Sequence, residues 1–184
     1  MGMVMANLLS KPFINNFFQD LEPVQWSNFI WFKHHVTRFS IFTWMAFRNG
    51  IKTADVLISR GISVAPECIF CKDERETLNH LLFGCNFTYH ILIHTPPRMK
   101  CMLLRPNLWQ VFNSIDEGDM DSNTKSFCYL LLSAIVYFIW KARNDRSFGN
   151  ILECQTTVIS MIKRAVRYKT FKRKCFQHLQ HWLE

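Results

Sequence analysis

The chain has 184 residues, 49% of them hydrophobic, with seventeen phenylalanines and a formal net charge of +8. That length is about one domain and that apolar content can bury a core, which excludes a disordered or low-complexity chain. The basic balance favours a polyanionic partner, nucleic acid first, and seven cysteines behind an apolar but short start without a basic leader suggest free thiols in an intracellular compartment, nuclear or cytoplasmic.

Residues 1–24 read as a poorly patterned leader in which Phe13, Phe17 and Phe18 can dock on a core. Trp26 to His34 reads as a short extended or helical segment. From Val36 to Arg48 the residues Phe39, Phe42, Met45 and Ala46 recur at three- and four-residue steps, which predicts a helix stopped by Gly50. A further helix is predicted from a Thr53 cap through Ala54, Leu57 and Ile58 to Gly61.

The next stretch carries the chemistry. Cys68-Ile69-Phe70-Cys71 is followed by His80 and Cys85, so four metal-ligand side chains fall within eighteen residues as Cys-x2-Cys-x8-His-x4-Cys. A Cys-x2-Cys turn can aim two thiolates at one ion, and a filled set of four protein ligands suits a structural Zn2+ rather than a catalytic one. Thr77 is the expected N-cap of a short helix over Leu78 to Phe83, Gly84 its expected positive-φ stop, and Asn86 the cap of the next helix. Cys101, Cys128, Cys154 and Cys175 lack ligand-like spacing and read as core or surface thiols.

Asn86 to about His94 is predicted helical, with Pro96-Pro97 as its stop. Met102 to Arg105 fits no single template, Leu108 to Ile115 reads as a short helix, and the acidic run Asp116 to Asp121 marks an internal joint. The longest predicted helix runs from Ser122 to Phe148, apolar on every side between Phe127 and Trp140. That apolar run is shorter than the roughly 18–20 residues a spanning helix needs, so it reads as a central core helix and not as a membrane span. Cys154 to Trp182 reads as an amphipathic helix or helix pair: Val158, Met161, Ile162, Ala165, Cys175, Phe176 and Leu179 form the apolar side, and Lys163, Arg164, Arg167, Lys169, Lys172, Arg173 and Lys174 the charged one. These seven cations are the candidate nucleic-acid contacts, with a solvated helix surface as the alternative. Residues 67–85 are by contrast acidic, with Glu67, Asp73, Glu74 and Glu76 against Lys72 and Arg75.

The expected fold is mainly α: a leader at 1–24, a small helical domain at 25–95 around a Cys-Cys-His-Cys zinc knuckle, a connector at 96–121, and a helical region at 122–184 with a long buried helix and a basic amphipathic one. The order Trp26, Ile30-Trp31, Phe42-x-Trp44, Ile51-x-Thr53-x-Asp55-x-Leu57, Arg60-Gly61-Ile62, Cys68-x2-Cys71 and Glu76-Thr77-x2-His80-Leu81-x3-Cys85 resembles the reverse transcriptase zinc-binding domain of plant LINE-type (non-LTR) retrotransposon polyproteins and of stand-alone genes derived from them. Trp140-x2-Arg143-Asn144-x3-Phe148 is similar to a segment that often follows in the same proteins. The chain departs from the pattern at His35-Val36-Thr37, where the family often has a proline, and at Ile91-Leu92, where it tends to have a tryptophan.

The resemblance implies a zinc-stabilised, non-enzymatic module associated with reverse transcriptase, with Cys68, Cys71, His80 and Cys85 as ligands and RNA or single-stranded DNA as partner. A protein-interaction module and a retroelement fragment without selected activity are the alternatives, and no small-molecule substrate is expected. The acidic run Asp116 to Asp121 lacks the strand-turn-strand setting that paired polymerase aspartates need, and the sequence shows no phosphate-binding loop, hydrolase elbow or His-Glu-x2-His helix.

Overall fold

In the computed structural model, which describes residues 24–95 and 105–183, the chain begins with one turn, α1 (Ser27–Ile30), that buries Phe29 and Ile30. Helix α2 (Thr37–Phe47) follows and turns Phe39, Ala46 and Phe47 inward. Its stop differs from the expected one: the left-handed residue is Asn49, at φ 51°, while the Gly50 amide bonds Met45 O at 2.7 Å. Asparagine tolerates that backbone region better than most residues. At Gly50 a Cβ would lie 3.3 Å from the same Met45 oxygen, so this glycine answers a close approach rather than a positive φ.

Helix α3 (Ala54–Ser59) ends as predicted, with Gly61 at φ 76°. Its start is corrected in one respect. Thr53 holds the N-cap position, but its hydroxyl donates to Asp55, and the Ala54 amide is instead taken by the Glu76 carboxylate at 2.9 Å.

Beyond the metal-ligand segment come α4 (Asn86–His94), α5 (Leu108–Asp116), α6 (Ser122–Gly149), α7 (Gln155–Thr170) and a 3-10 stretch, Lys174–Leu183. Helix α5 opens on a capping box in which Asn107 accepts from the Gln110 amide and Gln110 accepts from the Asn107 amide. Helix α6 starts where Asp121 accepts from the amides of Asn123 and Thr124, at 2.9 and 3.1 Å, and ends at left-handed Asn150. The acidic run before it is tied down, because Asp116 accepts the Tyr129 hydroxyl at 2.9 Å. The expected docking of Phe13, Phe17 and Phe18, the Pro96-Pro97 stop, and most of Met102 to Arg105 lie outside the described residues.

Why α6 is apolar all round follows from its neighbours. Helices α1, α2, α4, α5 and α7, the 3-10 stretch and the turn carrying His80 all pack on it. Leu131, Leu132, Ala134, Ile135, Val136 and Ile139 are fully enclosed, and each large side chain so buried contributes about 1.5–3 kcal/mol. The helix is long and apolar enough to cross a membrane by length and composition, yet 67% of its most apolar window is buried inside the protein. Tyr137, Phe138 and Trp140 complete the shell as half-buried residues.

One hydrophobic core runs from Phe29 through Leu81, Leu82, Phe83, Ile91 and Leu92 to α6, α7 and Leu183. Ile91 and Leu92, where the resemblance expects a tryptophan nearby, have no exposed surface. The architecture is mainly helical; among the described residues the only β pairing is an isolated antiparallel bridge between Glu67 and Arg75.

Candidate metal centre

The bridge Glu67–Arg75 is the neck of the Cys-x2-Cys turn. Cys68 N donates to Glu74 O at 2.7 Å and Glu76 N to Pro66 O at 2.8 Å, which closes the loop. Inside it Lys72 N bonds Cys68 O at 2.9 Å, and Lys72 itself takes φ 64°. A non-glycine residue in the left-handed region is held there by its surroundings. Here it reverses the chain directly after Cys71.

The second pair of ligands arrives on a different device from the one expected. Thr77 does cap: its hydroxyl oxygen accepts the His80 amide at 3.2 Å. Residues Leu78 and Asn79 begin an α turn, but His80–Gly84 then form a π-helical turn, closed by Cys85 N bonding His80 O at 2.7 Å. The expected positive φ at Gly84 is therefore a correction, since among the described glycines only Gly61 has one. One extra residue in the turn brings positions five apart round to the same side, and Cys85 meets His80 without a chain reversal. At Gly84 a Cβ would lie 3.3 Å from Asn79 O, so this tight turn favours glycine by space. Cys85, not Asn86, is the N-cap residue of α4; the Asn86 side chain instead accepts from Arg105.

These turns bring together all four expected ligands. One ligand atom each from Cys68, Cys71, His80 and Cys85 lies within 4.8 Å of every other, and Cys71 Sγ is 3.3 Å from His80 Nε2. A tetrahedral ion with metal–sulfur bonds of about 2.3 Å and a metal–nitrogen bond of about 2.0–2.1 Å needs donor separations of about 3.6–3.8 Å. The donor set fits a metal ion with little movement. Cys68 and Cys85 have no exposed surface and His80 only 8%.

The histidine is oriented from behind. Glu74 Oε2 lies 3.1 Å from His80 Nδ1, which leaves Nε2 facing the sulfurs. A carboxylate on the far ring nitrogen fixes the tautomer and raises ligand basicity. The hydrogen bond to Cys85, then burial, pushes Cys68 far above the usual thiol range, and the same bond pulls Cys85 down. The amides of Phe70 and Cys71 act to lower Cys68, and those of Phe87 and Thr88, in the first turn of α4, act to lower Cys85. Backbone donors and a helix start aimed at sulfur favour the thiolate form that a metal requires.

Two arginines of α6 reach this region, and spacing alone does not pick them out. Arg143 Nη2 donates to Glu76 Oε1 at 2.8 Å, with both side chains buried. Glu76 therefore joins the ligand segment, the start of α3 and the central helix. Arg146 lies 4.8 Å from the Phe70 ring centre and 4.5 Å from that of Phe87, and the two rings stack at 4.5 Å. Burial draws the Arg146 pKa down, while the nearby Cys85 and Cys68 sulfurs act to hold it up. A guanidinium here would offset the excess charge of three thiolates on a bound divalent ion.

The seven expected cations do not form one stripe. Lys163, Arg164 and Arg167 border a depression closed by Leu183, and Arg167 Nη2 donates to Leu183 O at 2.6 Å. Lys169 and Arg173 border another groove, with Arg164 lining both, and Arg173 Nη1 donates to His34 O at 3.0 Å. Lys172 and Lys174 are exposed.

Residues 9–91 match a family model described as zinc-binding in reverse transcriptase. That model concerns a zinc-binding accessory region and not the polymerase catalytic domain. The four sulfur and imidazole residues all lie inside the match, whereas Arg143 and Arg146 lie beyond it. No curated protein and no solved structure matches the chain.

Proposed function

We propose that Cys68, Cys71, His80 and Cys85 hold one structural Zn2+, and that the protein is a non-catalytic module whose partner is nucleic acid, RNA or single-stranded DNA. The convergence of four donor atoms within 4.8 Å carries this reading. Three sulfurs and one imidazole in a tetrahedral set suit zinc, and a filled set leaves no position for water or substrate. The family match supports a retroelement origin; the motifs around Glu76-Thr77 and Trp140 support the finer reading of a plant LINE-type source.

Charge divides the labour. Three thiolates with one Zn2+ carry a net negative charge, and residues 67–85 hold four acids, Glu67, Asp73, Glu74 and Glu76, against Lys72 and Arg75, so the metal centre is a scaffold and a poor phosphate ligand. Phosphates belong with the cations of α7 and the residues just after it, where binding releases counterions. A second reading, a protein-docking module, draws on Trp31, Ile41 and Trp44, which are 44%, 41% and 41% exposed.

Salt titration separates the two. Binding of a labelled single-stranded oligonucleotide should weaken linearly with log salt, and Arg164→Glu with Lys172→Glu should lower the slope by about one per lost contact. Absence of binding at low salt would refute the nucleic-acid reading.

A further inference from the structure

The groove shared by α2, α6 and α7 combines two features that phosphate attraction alone does not require. It is lined by Arg38, Lys141, Arg164, Lys169 and Arg173, with no carboxylate among its lining residues, and its volume is about 890 Å³. Lys141 is engaged with Asp145 and Arg173 with the His34 carbonyl. Arg38, Arg164 and Lys169 have no carboxylate partner among the described residues.

Between these cations lie aromatic faces. Phe39, Tyr137 and Phe138 line the groove and form one cluster, with ring centres 5.1–6.1 Å apart. Tyr168 stands at its edge 80% exposed, with Lys169 Nζ 5.7 Å from its ring centre. A tyrosine so exposed adds nothing to the core. It presents a flat face beside positive charge.

We infer that this groove is a subsite for a single-stranded nucleic acid, in which an unpaired base stacks on Tyr168 while Arg38, Arg164 and Lys169 take the flanking phosphates. The inference rests on the nucleic-acid reading above and deepens it. Stacking platforms interleaved with cations are how single strands are held without sequence readout, and a duplex keeps its base faces inside its own stack. An aromatic face set between unpaired cations therefore selects unpaired strands.

The test uses the full chain with three labelled probes at low salt: oligo(dT), the same-length strand with abasic sites, and a duplex. The wild-type protein should bind oligo(dT) most tightly. Tyr168→Ala should weaken oligo(dT) binding roughly 5- to 150-fold, which corresponds to about 1–3 kcal/mol per stacked base, and leave the abasic strand unaffected; Tyr168→Phe should bind like wild type. Because Tyr168 lies at the surface, its removal leaves the core intact, which equal melting temperatures would verify. If Tyr168→Ala binds oligo(dT) like wild type while Arg164→Glu still weakens it, the groove assignment fails and the nucleic-acid reading stands. If no probe binds, both fail. Displacement of oligo(dT) by polyglutamate of equal charge with equal efficiency would make the groove a site for acidic protein segments and overturn the inference.

Discussion

Glu76 does more for the centre than its place in the sequence suggests. Its carboxylate caps α3 through the Ala54 amide and pairs with Arg143, both from a fully buried position. Removing one partner of such a pair leaves the other charge buried without compensation, which costs about 3–5 kcal/mol. Glu76→Ala should therefore lower the midpoint of a urea melt by that amount of stability, and the Glu76→Ala, Arg143→Leu double variant should recover part of it. Equal stability of Glu76→Ala and wild type would deny the pair this role. The four ligands could be read from spacing because a metal leaves a local signature in residue type and interval. Glu76 and Arg143 each stand in a quoted motif, but nothing in their spacing pairs them, and Glu74 behind His80 and Arg146 over Phe70 and Phe87 left no such signature, since these contacts depend on the distant helix α6 or on a loop reversal at Lys72.

At the scale of elements, apolar pattern and end signals located α2, α4, α5 and α6 to within a residue or two, whereas the amphipathic stretch expected from Cys154 to Trp182 divides into α7, which ends at Thr170, and a 3-10 stretch over Lys174–Leu183. What they misassigned were the ends. Gly50 was expected as the stop of α2, and left-handed Asn49 precedes it there; Gly84 was expected at φ > 0, and a π turn removes the need. Both are choices among near-equal backbone solutions that packing decides. The start of α6 offers a direct test of end chemistry. Asp121 accepts from the Thr124 hydroxyl and from the Thr124 and Asn123 amides, and these bonds hold its carboxyl below the usual carboxylate range. A group with a lowered folded pKa adds stability above its unfolded pKa of about 3.9 and loses it as pH falls through the folded value. Asp121→Ala should melt at a lower temperature than wild type at pH 7, and the gap should narrow as the pH is taken below the carboxylate range. A gap independent of pH would mean that the charge plays no part in the cap.

In the molecule as a whole, the metal-ligand segment is not an appendage. Leu81, Leu82 and Phe83, on the same turn as His80, belong to the core that α6 and α7 share, and the Glu76–Arg143 pair adds a polar tie at the same junction. On the proposed reading, an ion that locks Cys68 and Cys71 to His80 and Cys85 would stabilise the packing of the whole helical set and so couple metal binding to folding. The measurement that bears most directly on this account is X-ray absorption at the zinc edge on the full-length protein carrying one equivalent of zinc. The account predicts a first shell of three sulfurs at about 2.3 Å and one nitrogen at about 2.0–2.1 Å, reduced to two sulfurs in Cys71→Ser. A shell of oxygen and nitrogen alone, unchanged by Cys71→Ser, would contradict it.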